Sequence, residues 1–556
     1  MKILIPGYGG GLANSKYAPL EEQSFQTAEN LDVFQQQRIL RPVVNLASQT
    51  FDVATNTFKP EFFYKASNNQ LFWFGSDGSQ KMRIYNQNLS SAPGELDITV
   101  TGPPVSPLAN DGSSSSSADN YAPDANNLQS FHHVAELNGY LLFWSATKLS
   151  RITLGGTPST SSTWAENPFT FSVTANTGHP IFTHQGLRKV FIAVDNVLYS
   201  FDSTTIAGSA VPTTALTLDP AYVIKSITSS GRFVVLGCIS KRDTTTSKLF
   251  IYDGSATTVD DIIDIGDYGL QAVRNVNGIL NVLCTNVVMG VPGGYTRVYL
   301  VNGNSVVLGD EIIITPGTPT YAANKGSRLI GMIDDASVDV WGDRLIWAYR
   351  GRISGPDVSF LNITNGIYAY GKFESNQPRI ITLLNTPTTS AAGYSFTCVR
   401  VIEGYIYAAF NNQTNWYIET QASNSTWGAR DSSGVYESNV FTLNSGNMGK
   451  ISKITLFHDP LPASCGFTVQ VKHYGHYTRG SSIPVEDSYA TVYGPEGNSS
   501  TSGMSQSTQY TTYTVLEDPN VFKKARFAQI KILFDEVNGV DAPGIVFPIL
   551  IETEEK

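Results

Sequence analysis

Residues 229–254 read SSGRFVVLGCISKRDTTTSKLFIYDG. Ser230-Gly231 is a turn signal that opens the apolar run 233–239. A polar crossing follows, and a second run, 248–252, closes on Asp253-Gly254. β-Branched and aromatic runs bounded by Gly, Asp, Ser and Thr mark antiparallel strands. The same unit recurs along the chain, and recurrence at a fixed period points to a radial or stacked β architecture.

Each copy is anchored on the turn residue before its first apolar run. Gly139, Gly186, Gly231, Gly278, Gly342 and Gly404 are six such anchors, spaced 47, 45, 47, 64 and 62 residues apart. Asn68-Asn69 supplies a seventh, with Asn in the glycine role. Spacing in the forties suits a four-stranded propeller blade, for which about 40–50 residues is usual. The longer intervals hold loop-like insertions at 287–294 and 351–359. Seven copies, six of them better supported, predict a six- or seven-bladed β-propeller over residues 49–422.

Charged residues make up 15% of the 556, well below the usual quarter, while Gly (48), Phe (28) and Tyr (27) are plentiful. This is the profile of an all-β protein with a Ser/Thr/Asn surface, and it excludes a disordered chain. Amphipathic helical patterns are nearly absent; the best candidate is the short stretch 21–31. The net charge of −10, with no Lys/Arg cluster, excludes tight nucleic-acid binding through a basic footprint. Cys238, Cys284, Cys398 and Cys465 are scattered without a CxxC pair or a disulfide framework. The opening MKILIPGYGG is too short in apolar residues for a signal peptide, and no run approaches the ~20 apolar residues of a membrane span. Synthesis and folding in a reducing cytoplasm are expected.

Residues 1–48 lack the blade rhythm. Gly7-Tyr8-Gly9-Gly10-Gly11-Leu12 is too glycine-rich to form a helix or strand interior cheaply and lacks the GxxxxGK[ST] pattern of a phosphate loop. Gly10-Gly11-Leu12, Pro19-Leu20, Glu29-Asn30-Leu31-Asp32 and Leu40-Arg41-Pro42 follow in that order. This segment resembles the opening of the packaged-DNA stabilisation and tail-nozzle proteins of short-tailed bacteriophages. It departs from that pattern in having no second Arg before Pro42 and no Gly after it. The resemblance covers about 40 residues. It implies a propeller followed by a β-sandwich and a hexameric ring that extends the DNA channel below the portal and adaptor. It also implies retention of packaged DNA until infection.

Residues 101–130 form a Pro/Ser/Asn/Asp stretch with a five-serine run, expected as a long rim loop in contact with a neighbouring protein. From about Gly434 the rhythm changes. Seven runs, at 440–443, 451–457, 467–474, 490–493, 510–516, 526–534 and 545–552, read as strands of a β-sandwich, with an exposed loop at 494–509. The run RFAQIKILF from Arg526 alternates as a sheet with one wet face does.

Motifs for chemistry are weak. His473 and His476 are three apart on a strand and so point to opposite faces; His132-His133 diverge likewise. Asp260-Asp261, Asp334-Asp335 and Glu21-Glu22 are adjacent pairs, which diverge instead of facing a common substrate. Ser76-Asp77-Gly78 lacks the tryptophan of a sialidase Asp-box. Trp73, Trp144, Trp347 and Trp416 fall in blade strands, where burying a large ring is the simple account. Trp164 and Trp427 fall in loops and are candidate surface contacts.

These readings predict an all-β chain in three parts: an extended N-terminal arm (1–48), a six- or seven-bladed β-propeller (49–422) and a C-terminal β-sandwich (423–556). No enzymatic activity, cofactor or metal is expected. Gly10, Gly11, Leu12, Pro19, Leu20, Asn30, Asp32 and Arg41 are candidate assembly contacts of the arm. The resemblance implies partners: other copies of the chain in a ring (hexameric in the family), the portal–adaptor and other tail proteins, and double-stranded DNA that passes without tight binding. It implies residence in the virion tail after synthesis in a bacterial host. Two other readings are a receptor- or glycan-binding propeller and a polysaccharide-degrading enzyme.

Overall fold

The computed structural model describes residues 1–13, 17–20, 23–34, 39–48, 59–76, 82–87, 94–96, 134–145, 148–154, 164–170, 180–207, 212–241, 246–267, 269–288, 294–314, 328–329, 333, 335–349, 366–372, 379–387, 395–411, 416–421, 430–444, 448–461, 465–476, 485–492, 510–514, 524–536 and 542–554. The loops expected at 101–130 and 494–509, the insertion at 351–359, His132-His133, Glu21-Glu22, Asp334 and Trp427 lie outside these residues.

The chain is all-β, and the described residues form a propeller of seven blades. Six sheets follow one another in up-and-down order: from Lys59–Lys65 to Gly94–Leu96, Val134–Leu137 to Trp164–Thr170, Ile181–His184 to Thr213–Thr217, Tyr222–Ser230 to Asp261–Asp264, Leu270–Val276 to Ser305–Ile314, and Val338–Trp341 to Ile380–Asn385. The seventh takes Ser395–Ile402, Tyr405–Asn411 and Trp416–Thr420, and its outermost strand is Ala47–Ser48 from the other end of the chain. Closing the ring with a strand from the opposite terminus leaves few free edges. The chain enters the propeller at Ala47–Ser48.

The stretch first quoted is the middle of the fourth blade. Phe233–Ser240 pairs on one side with Tyr222–Ser230 and on the other with Ser247–Tyr252, Val234 opposite Tyr252. Its run is continuously apolar because both faces are covered. Val234, Leu236 and Cys238 pack with Phe191, Ala193 and Leu198 of the third blade. Val235 turns the other way, toward Leu270, Val282 and Cys284 of the fifth. Gly237 is part of that fit: a Cβ there would lie 2.7 Å from Val273 Cγ2. Left-handed residues close the turns between first and second strands, with Asn138, Asn277 and Glu403 at φ near +50° beside Gly139, Gly278 and Gly404.

Two further sheets form the sandwich. One runs Leu31–Asp32, Ile39–Pro42, Ile545–Glu554, Lys450–His458, Tyr510–Thr514, with Lys2–Ile5 also on Ile545–Glu554. The other runs Gly11–Leu12, Ser24–Glu29, Gly434–Ser438, Phe527–Glu536, Gly466–His476, Val485–Glu486, with Phe441–Thr442 and Ala490–Val492 added. Ile545–Glu554 alternates strictly between buried and half-buried. Phe547 packs edge-on against Tyr8 and Tyr436, at 5.0 and 5.4 Å between ring centres.

The N-terminal segment is extended, but it is not an arm held apart. Lys2 pairs with Glu552, Phe25 with Ser438 and Leu40 with Ile545. The stretch 21–31, the best helix candidate, holds the strand Ser24–Glu29 instead. The physical reason is the same for both corrections. Short strands must find partners for every buried backbone N–H and C=O, and strands near residues 435 and 550 supply them. Two compact units result, 48–365 with 389–420, and 1–47 with 366–388 and 421–556.

Candidate functional site

The arm residues come first, since the sequence pointed to them. Gly10 N–H donates to Gln23 O at 3.1 Å. Gly11 is buried at φ +76°, and a Cβ there would lie 2.8 Å from Ile380 Cβ. Gly11–Leu12 pairs in parallel with Ser24–Phe25. Asn30 is fully buried at φ +56°; its Nδ2 donates to Thr386 Oγ1 and Ser433 Oγ, both at 2.8 Å, and its Oδ1 accepts from Thr386 N–H at 2.6 Å. Asp32 Oδ1 accepts from Phe34 N–H at 2.9 Å. Arg41 forms an ion pair with Asp459. Pro19 is exposed and Leu20 half-buried. Gly11, Asn30 and Asp32, expected at an assembly contact, are therefore buried fastening points of their own unit. Pro19 is the member of the set whose side chain is open.

Trp164 begins the strand Trp164–Thr170 and pairs with Ile152, so it is not in a loop.

Where the first strands of the blades turn back, a cleft of about 460 Å³ opens among the first, second and seventh blades. Tyr64, Lys65, Glu136, Arg400 and Glu403 line it. Its size suits a small ligand, but its charges are already answered across the blade junctions. Lys65 pairs with Glu403, joining the first blade to the seventh. Glu136 accepts from Ser67 N–H at 2.9 Å and from Tyr64 OH at 3.5 Å, joining the second to the first. Arg400 meets Asp339 at 3.4 Å and lies 4.9 Å from the centre of the Phe62 ring. Asp339 also accepts from Val401 N–H at 2.8 Å, and Trp341 Nε1 donates to Gly404 O at 2.8 Å, tying the sixth blade to the seventh. Burial and the Glu136 charge push the Tyr64 phenol above its ordinary range, so it stays neutral. The arrangement holds blades together.

Deeper in, Asp335 is shared by two blades. Its Oδ1 accepts from Ser226 Oγ at 2.6 Å and from Arg274 Nη1 at 2.7 Å. In the fifth blade Asp267 accepts from Tyr299 OH at 2.7 Å and from Arg297 Nη1 at 3.3 Å, and Arg297 Nε reaches Glu311 at 2.8 Å. Burial and the Asp267 carboxylate raise the Tyr299 phenol. Sequence reading missed these junctions and took Asp334-Asp335 only as an adjacent pair of diverging carboxylates. The available signal was a single charged residue, an arginine, inside each of two otherwise uncharged strands, LQAVRNV and GYTRVYLVN.

Among the described residues no group of three or more His, Cys, Asp or Glu is arranged to hold a metal. His473 is buried on its strand. All four cysteines are buried free thiols. Among these residues no helix is long and apolar enough to cross a membrane.

No family model matches the chain, and no curated protein matches it. Solved structures with some likeness include an exo-β-1,3-galactanase from Phanerochaete chrysosporium (11% identity, TM-score 0.27, covering 92% of this chain and 100% of that one). The N-terminal domain of Nup159 shares 7% identity at a TM-score of 0.36, over 71% and 99% of the two chains. The Dos1 propeller shares 11% at 0.35, over 72% and 95%. Likeness at this level says nothing about activity.

Proposed function

We propose that this chain is a structural protein of the tail of a short-tailed bacteriophage, of the nozzle type. In this reading, copies assemble as a ring below the portal and adaptor, extend the DNA channel and retain packaged DNA until ejection. The chain acts as a part of the virion and not as an enzyme.

One observation carries the reading. The N-terminal residues that resemble such proteins belong to a chain that also combines a propeller with a sandwich, the pairing of domains that the resemblance implies. Those residues are also tied into the architecture, with Asn30 and Asp32 buried in the sandwich unit. A segment used this way is under structural constraint, which gives a physical reason for its particular residues. The net charge of −10 favours a wall along which DNA can slide, since tight phosphate binding needs cationic contacts.

The test is the mass of the purified protein in solution, followed by negative-stain imaging with and without the portal–adaptor complex of its own virion. Rings, or rings that form only on that complex, support the reading. A stable monomer that ignores the complex overturns it.

A further inference from the structure

The ion pairs across the blade junctions answer the charges of the cleft among the first, second and seventh blades. They do not use all of its hydrogen-bonding capacity. The Arg400 guanidinium lies 4.9 Å from the centre of the buried Phe62 ring, and its Nε stands 3.4 Å from Asp339 Oδ2. Asp339 is itself fixed by the Val401 N–H at 2.8 Å. One contact covers a face of the planar group and the other holds one edge, so its orientation is set. Neither involves the terminal amino groups. Among the described residues no acceptor meets Arg400 Nη1 or Nη2, and the side chain is 24% exposed where it lines the cleft.

Two further groups of the same lining are unspent. Glu403 gives Oε1 to Lys65, while its Oε2 has no partner among the described residues. An ionised carboxylate can only accept, so Oε2 favours a ligand with a hydroxyl to donate. The side-chain amide of Asn69, on an exposed turn, engages no described residue and offers both a donor and an acceptor. Lys65 and Arg400 are balanced in the lining by Glu136 and Glu403. An open fork in surroundings of no net charge suits one negative charge, whereas a phosphate dianion would meet two neighbouring carboxylates.

We propose that this cleft binds a small hydroxylated carboxylate, an acidic sugar. Its carboxylate sits on the Arg400 fork through Nη1 and Nη2, the planar geometry in which arginine holds carboxylates. Its hydroxyls meet Glu403 Oε2 and the Asn69 amide. The cleft, about 460 Å³, is of the size of small-molecule sites. The blade contacts orient Arg400 before the ligand arrives, which lowers the ordering cost of binding. The site belongs to a single copy of the chain and does not depend on the tail reading.

Titration calorimetry of the full chain with glucuronate, glucose and inorganic phosphate tests it. Glucose carries a hydroxymethyl where glucuronate carries the carboxylate. Glucuronate is expected to bind saturably, and glucose and phosphate each about tenfold more weakly or less. Arg400→Lys keeps a positive charge opposite Asp339 but lacks the fork, and is expected to lose about tenfold in glucuronate affinity. Asn69→Gly suits the left-handed backbone at φ +68° and removes only an exposed amide. It is expected to weaken glucuronate and glucose by a similar factor, since both use hydroxyls there. Melting temperatures check that both variants fold. Glucuronate that does not saturate, or glucose or phosphate that binds as tightly, would overturn the site. So would an affinity for glucuronate that a folded Arg400→Lys leaves unchanged. If that variant does not fold, an unchanged affinity in Asn69→Gly overturns the proposal by itself. A ring that ignores glucuronate sinks this site alone, and a monomer that binds it sinks the tail reading alone.

Discussion

Arg274 and Asp335 form an ion pair between neighbouring blades, Nη1 to Oδ1 at 2.7 Å, with the side chains only 12% and 6% exposed. Arg274 Nη2 also donates to Asp335 O at 2.6 Å and Val338 O at 2.9 Å. Ser226 of the fourth blade donates to the same carboxylate. A single acid, just before the first strand of the sixth blade, therefore gathers groups from the fourth and fifth.

Removing that acid leaves a guanidinium in a place with little water. Asp335→Ala is expected to cost about 3–5 kcal/mol, the range for breaking a buried pair from one side. Replacing both members with apolar residues, Arg274→Met with Asp335→Leu, is expected to recover most of the loss, because no charge is then stranded. Urea unfolding of the two variants checks this, and equal losses would show that the pair is not the cause.

Gly269 and Gly266 are close in sequence and both left-handed, at φ +76° and +69°. A Cβ on Gly266 would meet nothing within 4 Å, whereas on Gly269 it would lie 2.2 Å from the backbone oxygen of Thr285. Gly266→Ala is expected to cost only the left-handed penalty, about 1–2 kcal/mol. Gly269→Ala is expected to cost distinctly more, since a strand carbonyl cannot step aside. Melting temperatures that fall equally would contradict the packing argument.

The cysteines are predicted to be inert in the folded chain. Burial pushes the Cys238 and Cys284 thiols well above their ordinary range, and the thiolate is the reactive form. Mass spectrometry after maleimide treatment is expected to find the native chain unlabelled at both and the urea-unfolded chain labelled. Rapid native labelling at either would mean that the blade contacts open readily.

Glu29 gives a pH signature. Burial raises its pKa above the ordinary glutamate value, Thr386 lowers it by hydrogen bonding, and Asp431, whose own pKa burial raises, adds to the rise. A carboxyl raised on folding contributes stability that is fully present below its unfolded pKa and is lost as pH rises through the folded value. Glu29→Gln is therefore expected to melt higher than wild type at pH 8, with the gap closing as pH falls toward 4. A gap that stays constant with pH would assign the effect to something other than titration.

Much of the propeller was legible because its information is local. Turn residues such as Asn277-Gly278 precede each middle strand, and the middle strands are apolar on both faces, so period and content coincide. The sandwich strands after residue 440 were legible for the same reason, apart from the two-residue Val485–Glu486, while Gly434–Ser438 and the N-terminal strands from Lys2–Ile5 to Ile39–Pro42 are short and carry little signal. The candidate contacts fared differently. Asn30 and Asp32 look like exposed polar residues in a list, and only their neighbours in space show them to be buried.

Sequence alone determined that this chain is β throughout, where its blades repeat, and where the repeat gives way to a second kind of sheet. Those properties follow from side-chain alternation and turn chemistry within a few residues. Tertiary structure alone decided the blade count of seven, by supplying Ala47–Ser48 to the last blade, and the role of the first residues. Lys2 pairs with Glu552, and Asn30 bonds to Thr386 and Ser433. Backbone hydrogen bonds have the same chemistry whatever strand supplies them, so nothing local to residue 2 or residue 30 names a partner hundreds of residues away. The choice falls to the packing of the whole chain, in which those strands are the ones that cover open sheet edges.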